Sequence, residues 1–455
     1  MNNLTIAYIG GGSRLWARHL MSDLAVEDQI GGTVKLYDID IEAAKNNAKL
    51  GNLMMAVPEA KGHFKFEVSQ TLDSCLEGAD FILISILPAT FDEMDIYVHG
   101  PEEWNVYQPV GDTAGPAGIF RSLIMMPMYH TIAKAIKRVA PQAWVINFTN
   151  PMTMCVQMLY HTFPEIKAYG NCHEVFHVQE ILAKALGEET GIHAKRSEIK
   201  INPQGINHFT WINQAHYHAI DLMPIYEKFA KKYQQTGLNK ETHNKNAPFS
   251  SAERVKFDLY LKHHVIAAAG DRHLVEFLPQ QMYVKDPEMV RAWDFYLTSV
   301  EKRKEIKRDG TQKALDMIEK KTPVKLTPSN EEGVLQMKAL LGLGELITNI
   351  NTINHGQIEN LPLGHVVETN ALFRKDLVQP IFSGKMPDVP HALTLPHIYI
   401  HELLIKAFDH RDLSYAKEAL LRDPYTEHLS PKDKLAMFDK ITSQLSAYLS
   451  YYTHH

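Results

Sequence analysis

A short apolar run, Leu4 to Ile9, ends in Gly10-Gly11-Gly12-Ser13, and apolar residues at helical spacing follow from Leu15 to Leu24. This strand, glycine turn and helix constrain the fold more than any other feature of the chain. Glycines let backbone turn sharply and approach a pyrophosphate, whose charge then sits at the N-terminus of the following helix. The alternation continues. Thr33 to Tyr37 reads as a second strand ending at Asp38 and Asp40, and Phe81 to Leu87 as a strand covered on both faces. Ile119 to Val139 reads as a long helix and Ala143 to Phe148 as another buried strand. Strands alternating with helices predict an α/β fold, a Rossmann-like doubly wound parallel sheet over residues 1–198.

From residue 199 the pattern changes, and 199–455 is expected to form a mixed α+β substrate, metal and oligomerisation domain with a helical C-terminus. Asn207 to Asn213 reads as a strand, and the polar stretch Tyr226 to Ala247 as a solvated helix and loop. Met289 to Leu315 reads as a charged helical segment, Gly333 to Asn351 as a helix, Leu361 to Ala371 as strand and turn, and Leu395 to Tyr452 as helical.

The glycine turn fits the first two positions of the dinucleotide fingerprint at Gly10 and Gly12, with Gly11 and Ser13 completing it; Leu15 stands at the third. Asp38 is the expected ribose partner, with Asp40 as the alternative, or as the cap of the next helix. A carboxylate there favours NAD over NADP, because it repels a 2′-phosphate. Asn147 and Asn150 fall at the carboxyl end of a strand, where ligands bind in such sheets.

Two further turn-like segments carry metal-type side chains: Gly170-Asn171-Cys172-His173-Glu174-Val175 and Gly205-Ile206-Asn207-His208. A lone Cys is most often a small buried residue, and any single His is most often structural. Two ligands are too few for structural zinc, which takes four, but a site with open positions suits a catalytic metal. The chain has 455 residues, is 45% hydrophobic and carries a formal net charge of −6, with no Lys/Arg tract. Nucleic acid is therefore not an expected partner. No apolar run approaches the roughly 20 residues of a membrane span, the N-terminus reads as a strand rather than a signal peptide, and three cysteines are no disulfide framework. A cytoplasmic location is expected.

Gly10-Gly11-Gly12-Ser13, Asp38-Ile39-Asp40, Asn147-Phe148-Thr149-Asn150-Pro151, Gly170-Asn171-Cys172-His173 and Gly205-Ile206-Asn207-His208 together resemble glycoside hydrolase family 4. The resemblance continues at Leu361-Pro362, Val366-Val367-Glu368 and Ala419-Leu420-Leu421-Arg422-Asp423-Pro424, in order along nearly the whole chain. Family 4 is an NAD-dependent exception among glycosidases. The resemblance implies NAD and a divalent metal, usually Mn2+, as cofactors. It implies a route in which hydride leaves sugar C3, a base takes the C2 proton, the glycosidic oxygen leaves, water adds and the hydride returns.

Residue by residue, Cys172 and His208 match the family's metal ligands, and Asp112 an acidic site position of its alpha-specific branch. His173 matches a position tied to anomeric specificity or acid catalysis, and Asn150 a substrate-contacting Asn, with Asn207 beside the second ligand. Asp271, in Gly270-Asp271-Arg272, is the expected base and Tyr260 the alternative. The Cys172-His173-Glu174-Val175 form resembles the alpha-galacturonidase-type members. That implies a uronide substrate, whose carboxylate calls for a cation such as Arg121 or Arg272. Alpha-glucuronides, alpha-galactosides and 6-phosphoglycosides are the alternatives within the family. Outside it, a 2-hydroxyacid dehydrogenase would share the nucleotide turn but need no metal, and an NAD-sensing protein would lack the ligand positions. A homodimer or homotetramer is expected by resemblance.

Overall fold

The structure, a computed structural model, describes residues 3–238, 251–329 and 331–453. Six strands form the parallel half of its sheet: β1 (Asn3–Ile9), β2 (Gly31–Tyr37), β3 (His63–Val68), β4 (Phe81–Ile84), β5 (Trp144–Asn147) and β6 (Lys167–Gly170). Their spatial order is β3-β2-β1-β4-β5-β6. The chain runs outward from β1 on one side and restarts at β4 on the other, so a crevice opens beyond the carboxyl ends of β1 and β4, where doubly wound sheets bind ligands. Every residue of β4 is buried, which explains its uninterrupted apolar sequence.

The second half adds β7 (Ile199–Ile206), β8 (Phe209–Tyr217), β9 (Ile220–Asp221), β10 (Ile266–Ala267), β11 (Leu346–Ile353), β12 (Val366–Arg374) and β13 (Leu377–Pro380), all paired antiparallel. It joins the first half at one edge, where Asn351 of β11 pairs with Gly170 of β6, and within the second half Glu368 of β12 pairs with Gly205 of β7. The sheet is therefore continuous from β3 to β10. Gly170 and Gly205, one in each pair, open the two segments that carry Cys172 and His208.

The helix Gly115–Val139 starts with Pro116 in its first turn, where no backbone N–H is needed. It is buried between the sheet and the C-terminal helices Asp388–His410, Leu413–Leu421 and Pro431–Gln444. Phe120 meets Phe438 with ring centroids 5.1 Å apart, and the Tyr452 hydroxyl donates to the Leu123 carbonyl at 2.8 Å. Burying each such side chain contributes about 1.5–3 kcal/mol. The C-terminus is thus helical and covers one face of the nucleotide unit. The other face is packed by Leu20, Leu50 and Met337.

Two helical expectations need correction. Gly333 to Asn351 is not one helix: Gly333–Leu340 is helical, Gly342 has a φ of +82°, and β11 begins at Leu346. Both elements are nearly all buried, so their apolar runs lack a clear period. Met289 to Leu315 divides into the helices Pro287–Ala292 and Val300–Ile318. Within Tyr226 to Ala247, the helix Met223–Tyr233 accounts for the first part, and the stretch from 239 onward lies outside the described residues.

Candidate active site

The glycine turn meets the crevice at the switch point. Gly10 has a φ of +91°, and a Cβ there would lie 2.0 Å from the Ser85 carbonyl oxygen, so no side chain fits. The Gly10 and Gly11 N–H groups donate to the Tyr37 carbonyl. Gly12 N–H donates to Asp38 Oδ2 at 2.8 Å, and Asp40 N–H to Asp38 Oδ1 at 2.9 Å. A bare glycine backbone beside an acid closing β2 fits a dinucleotide. Asp40 does different work. It caps the helix Ile41–Met55 by accepting from Ala43 N–H, and it pairs with Arg14 at 2.8 Å, which holds its carboxyl below the usual range. Asn147 is used internally: its Oδ1 accepts from the Tyr129 hydroxyl and its Nδ2 donates to the Thr149 carbonyl. Trp16 and Phe148 stack nearby at 6.1 Å, and the His173 ring lies 5.7 Å from Trp16. His173 Nδ1 pairs with Glu331 at 2.8 Å; burial opposes its protonation, but that carboxylate raises the imidazole above its ordinary value.

The second centre gathers around the β7–β8 turn. Among the described residues, Asp112, His208 and His273 bring ligand atoms within 4.8 Å of one another. The two imidazoles stack with centroids 4.1 Å apart. Thr113 Oγ1 donates to Asp112 Oδ1 at 2.7 Å and lies 3.1 Å from His208 Nδ1. With the hydroxyl proton given to Asp112, His208 Nδ1 is the donor to the hydroxyl oxygen and Nε2 keeps its lone pair. Burial and the neighbouring His273 push His208 down to about 3, so it is a neutral imidazole, the form that binds metals. Burial alone would raise the Asp112 carboxyl; the charges of His273 and Arg121 overcome it and hold the group ionised, well below its usual range. One carboxylate and two imidazoles suit a divalent first-row metal and leave positions open for substrate oxygens.

Cys172 stands outside this close group. Its thiol is buried next to the Asn207 amide, and burial, with Glu368 and Glu174 nearby, pushes it well above its ordinary value. Glu368 in turn accepts from Thr210 Oγ1 at 2.5 Å and from Asn349 Nδ2 at 2.9 Å, and Asn349 Nδ2 also donates to the Cys172 carbonyl at 3.0 Å. Asn150 keeps a buried Oδ1 without a hydrogen-bond partner, while its carbonyl accepts from Arg121 Nε at 2.9 Å. Arg121 is buried in electrostatic contact with Asp112. Arg272 turns elsewhere: its guanidinium donates to the carbonyls of Tyr296 and Pro109 and to Thr298 Oγ1, bracing the loop that leads to Asp112.

Neither base candidate is itself part of the metal-type cluster. Asp271 is fully buried with Oδ1 accepting from Lys256 N–H at 3.0 Å and Oδ2 unpartnered; burial and the Glu253 charge raise it to about 7. Tyr260 is a core aromatic. Its hydroxyl donates to the Met223 carbonyl at 2.9 Å, and its ring meets Tyr226 at 4.7 Å, edge to face.

Four contributors were not singled out from sequence: His273, Glu174, Thr113 and Arg303. His273 lies two residues after Asp271, and Glu174 two after Cys172, so proximity to those residues is the signal that sequence carries. Arg303, buried against Asp112 and donating to the Val110 carbonyl at 2.7 Å, lies on a helix whose charged sequence reads as solvated.

The profile of the family 4 glycosyl hydrolases matches residues 5–188, and that of the family's C-terminal domain matches residues 204–426. The chain is 51% identical over 452 residues to the alpha-galacturonidase of Thermoanaerobacterium saccharolyticum, covering 99% of this chain and 97% of that protein. Its fold superposes with a TM-score of 0.92 on the crystal structure of a glucosidase, lplD, of Bacillus subtilis, at 44% identity over 97% of this chain and 100% of that one. It shares the fold, at a TM-score of 0.81 and 15% identity over 98% and 99% of the two chains, with a 6-phospho-alpha-glucosidase from gut microorganisms in complex with NAD and Mn2+. This chain belongs to the family 4 glycosyl hydrolases.

Proposed function

We propose that this glycoside hydrolase cleaves alpha-linked galacturonides with NAD and a divalent metal, Mn2+ being the first choice. The observation that carries the reading is that a side-chain-free glycine turn and an Asp112/His208/His273 donor set open on the carboxyl side of one continuous sheet. The substrate class is supported by the alpha-galacturonidase relative at 51% identity. When bound, NAD supplies a reversible hydride acceptor and the metal a Lewis acid for a sugar carbonyl oxygen.

The chain's own residues do the rest. Gly10, Gly11 and Gly12 let the cofactor approach the backbone, and Asp38 receives its ribose hydroxyls. Asp112, His208 and His273 would hold the metal, with the Cys172 thiol against the neighbouring Asn207. Asn150 offers its unpartnered Oδ1 to a sugar hydroxyl, and Arg121, fixed by Asn150 and Tyr97, is the cation for the uronate carboxylate. Asp271 takes the C2 proton; a carboxyl raised to about 7 is matched to that task near neutral pH. The test is a panel of nitrophenyl alpha-galacturonide, alpha-glucuronide, alpha-galactoside and 6-phosphoglycosides under reducing conditions. Galacturonide cleavage that requires both NAD and Mn2+ is expected. Faster turnover of a 6-phosphoglycoside would remove the substrate assignment, and full activity after chelation and cofactor removal would remove the mechanism.

A further inference from the structure

We propose that Glu174 is a positioning residue that fixes His273 as a second imidazole ligand of the metal, so that the site holds two imidazole nitrogens rather than the one supplied by the expected Cys172/His208 pair. The inference rests on the metal-dependent reading above.

The geometry is specific. Glu174 opens the helix Glu174–Thr190, and its carboxylate spans the short turn that begins at Gly270. Oε2 accepts from Gly270 N–H at 2.8 Å, and Oε1 pairs with His273 Nδ1 at 3.2 Å. His273 N–H closes the same turn by donating to the Gly270 carbonyl at 3.0 Å. One carboxylate therefore grips both ends of the turn. With Nδ1–H directed to Glu174, His273 has only Nε2 to offer a metal. His208 is arranged in the same way, with Nδ1 against Thr113 and Nε2 left over. The two rings are nearly parallel, 18° apart, and both have ligand atoms close to Asp112. A histidine ligand whose second nitrogen donates to a carboxylate is a recurrent device that fixes ring orientation and tautomer, and loss of the carboxylate costs about 10–100-fold in metal affinity. Glu174 thus has a reason to follow Cys172-His173 directly: the helix start that ends the cysteine segment is also what reaches the 270–273 turn.

Glu174→Gln separates this from a purely structural pairing. A glutamine accepts through one atom only, so it cannot satisfy both Gly270 N–H and His273 Nδ1–H. The measurements are Mn2+ affinity by titration of the free-ion EPR signal, NAD affinity by fluorescence and the melting temperature, with Glu174→Gln and His273→Ala beside the wild type. Mn2+ binding about 10–100-fold weaker in Glu174→Gln, with NAD affinity retained, is expected. Pulsed EPR of the Mn2+-loaded wild type needs no variant: two imidazole-nitrogen couplings are expected, falling to one in His273→Ala. A single coupling in the wild type, or unchanged Mn2+ affinity in Glu174→Gln, overturns the proposal and leaves the metal-dependent reading standing. A wild-type chain that binds no Mn2+ overturns both.

Discussion

Asp38 and Asp40 stand two residues apart at the end of the same strand, yet their carboxylates are committed to different tasks. Asp40 is spent on a helix cap and on Arg14, whereas Asp38 faces the glycine turn itself. Asp38→Ala is therefore expected to weaken NAD binding by about 1.5–3 kcal/mol, the worth of a hydrogen bond to a charged group. Asp40→Ala is expected to lower the melting temperature and leave NAD affinity nearly intact. Fluorescence titration of both variants checks this, and the reverse ranking would assign the ribose to Asp40. At the metal-type cluster, His208→Ala should abolish Mn2+ binding and turnover while NAD still binds. Cys172→Ser should lose turnover and bind Mn2+ more weakly, because the sulfur lies against Asn207 beside the cluster; full metal occupancy and normal turnover in that variant would take Cys172 out of the site. The sequence exposed residues whose chemistry is distinctive wherever they fall, namely the glycine turn, Cys172 and His208, and Asp112 only through the family resemblance. It did not expose His273 or Arg303, whose roles come from burial and from contacts with residues far along the chain. Nor could it show that Tyr260 spends its hydroxyl on a backbone carbonyl.

Secondary structure was legible where period and flanks agreed. The first strand and helix, β2, β5 and the C-terminal helices carry strong boundaries. The failure at Gly333 to Asn351 has a physical cause, since a mostly buried helix and a mostly buried strand present similar apolar runs. The C-terminal helices also bury an acid against the nucleotide unit. Asp423 caps the turn Pro424–Thr426, and its Oδ2 is buried without a partner; burial raises the carboxyl to about 7. Its folded value thus lies above the unfolded one, so the folded chain binds this proton more tightly. Stability from this group is fully present below about pH 4 and is lost as pH rises through about 7. Asp423→Asn keeps the cap acceptor and removes the charge. Relative to wild type, its melting temperature is expected to be similar near pH 4 and several degrees higher at pH 8, as thermal scans across that range would show. A constant offset at every pH would mean that Asp423 stays ionised in the fold.

At the scale of the whole molecule, one sheet explains why two cofactors belong to one reaction. The parallel half presents the glycine turn, and the antiparallel half, joined to it where Asn351 pairs with Gly170, presents His208 just after Gly205. Asp112 comes from the loop before the helix Gly115–Val139, and His273 from the short helical turn Asp271–Leu274. The doubly wound half was legible in the order of its segments. The continuity of the sheet was not, because the joint between its halves rests on a single residue pair between strands distant in sequence. In the proposed reaction this chain breaks a glycosidic bond by withdrawing hydride from C3 and a proton from C2, then returning the hydride. The most direct test is cleavage of nitrophenyl alpha-galacturonide in D2O by the NAD- and Mn2+-loaded enzyme, with the released sugar examined by NMR while NADH absorbance is followed. Deuterium at C2 in the product, with no NADH accumulating, is the expected result. Protium retained at C2, or NADH rising in step with product, would contradict it.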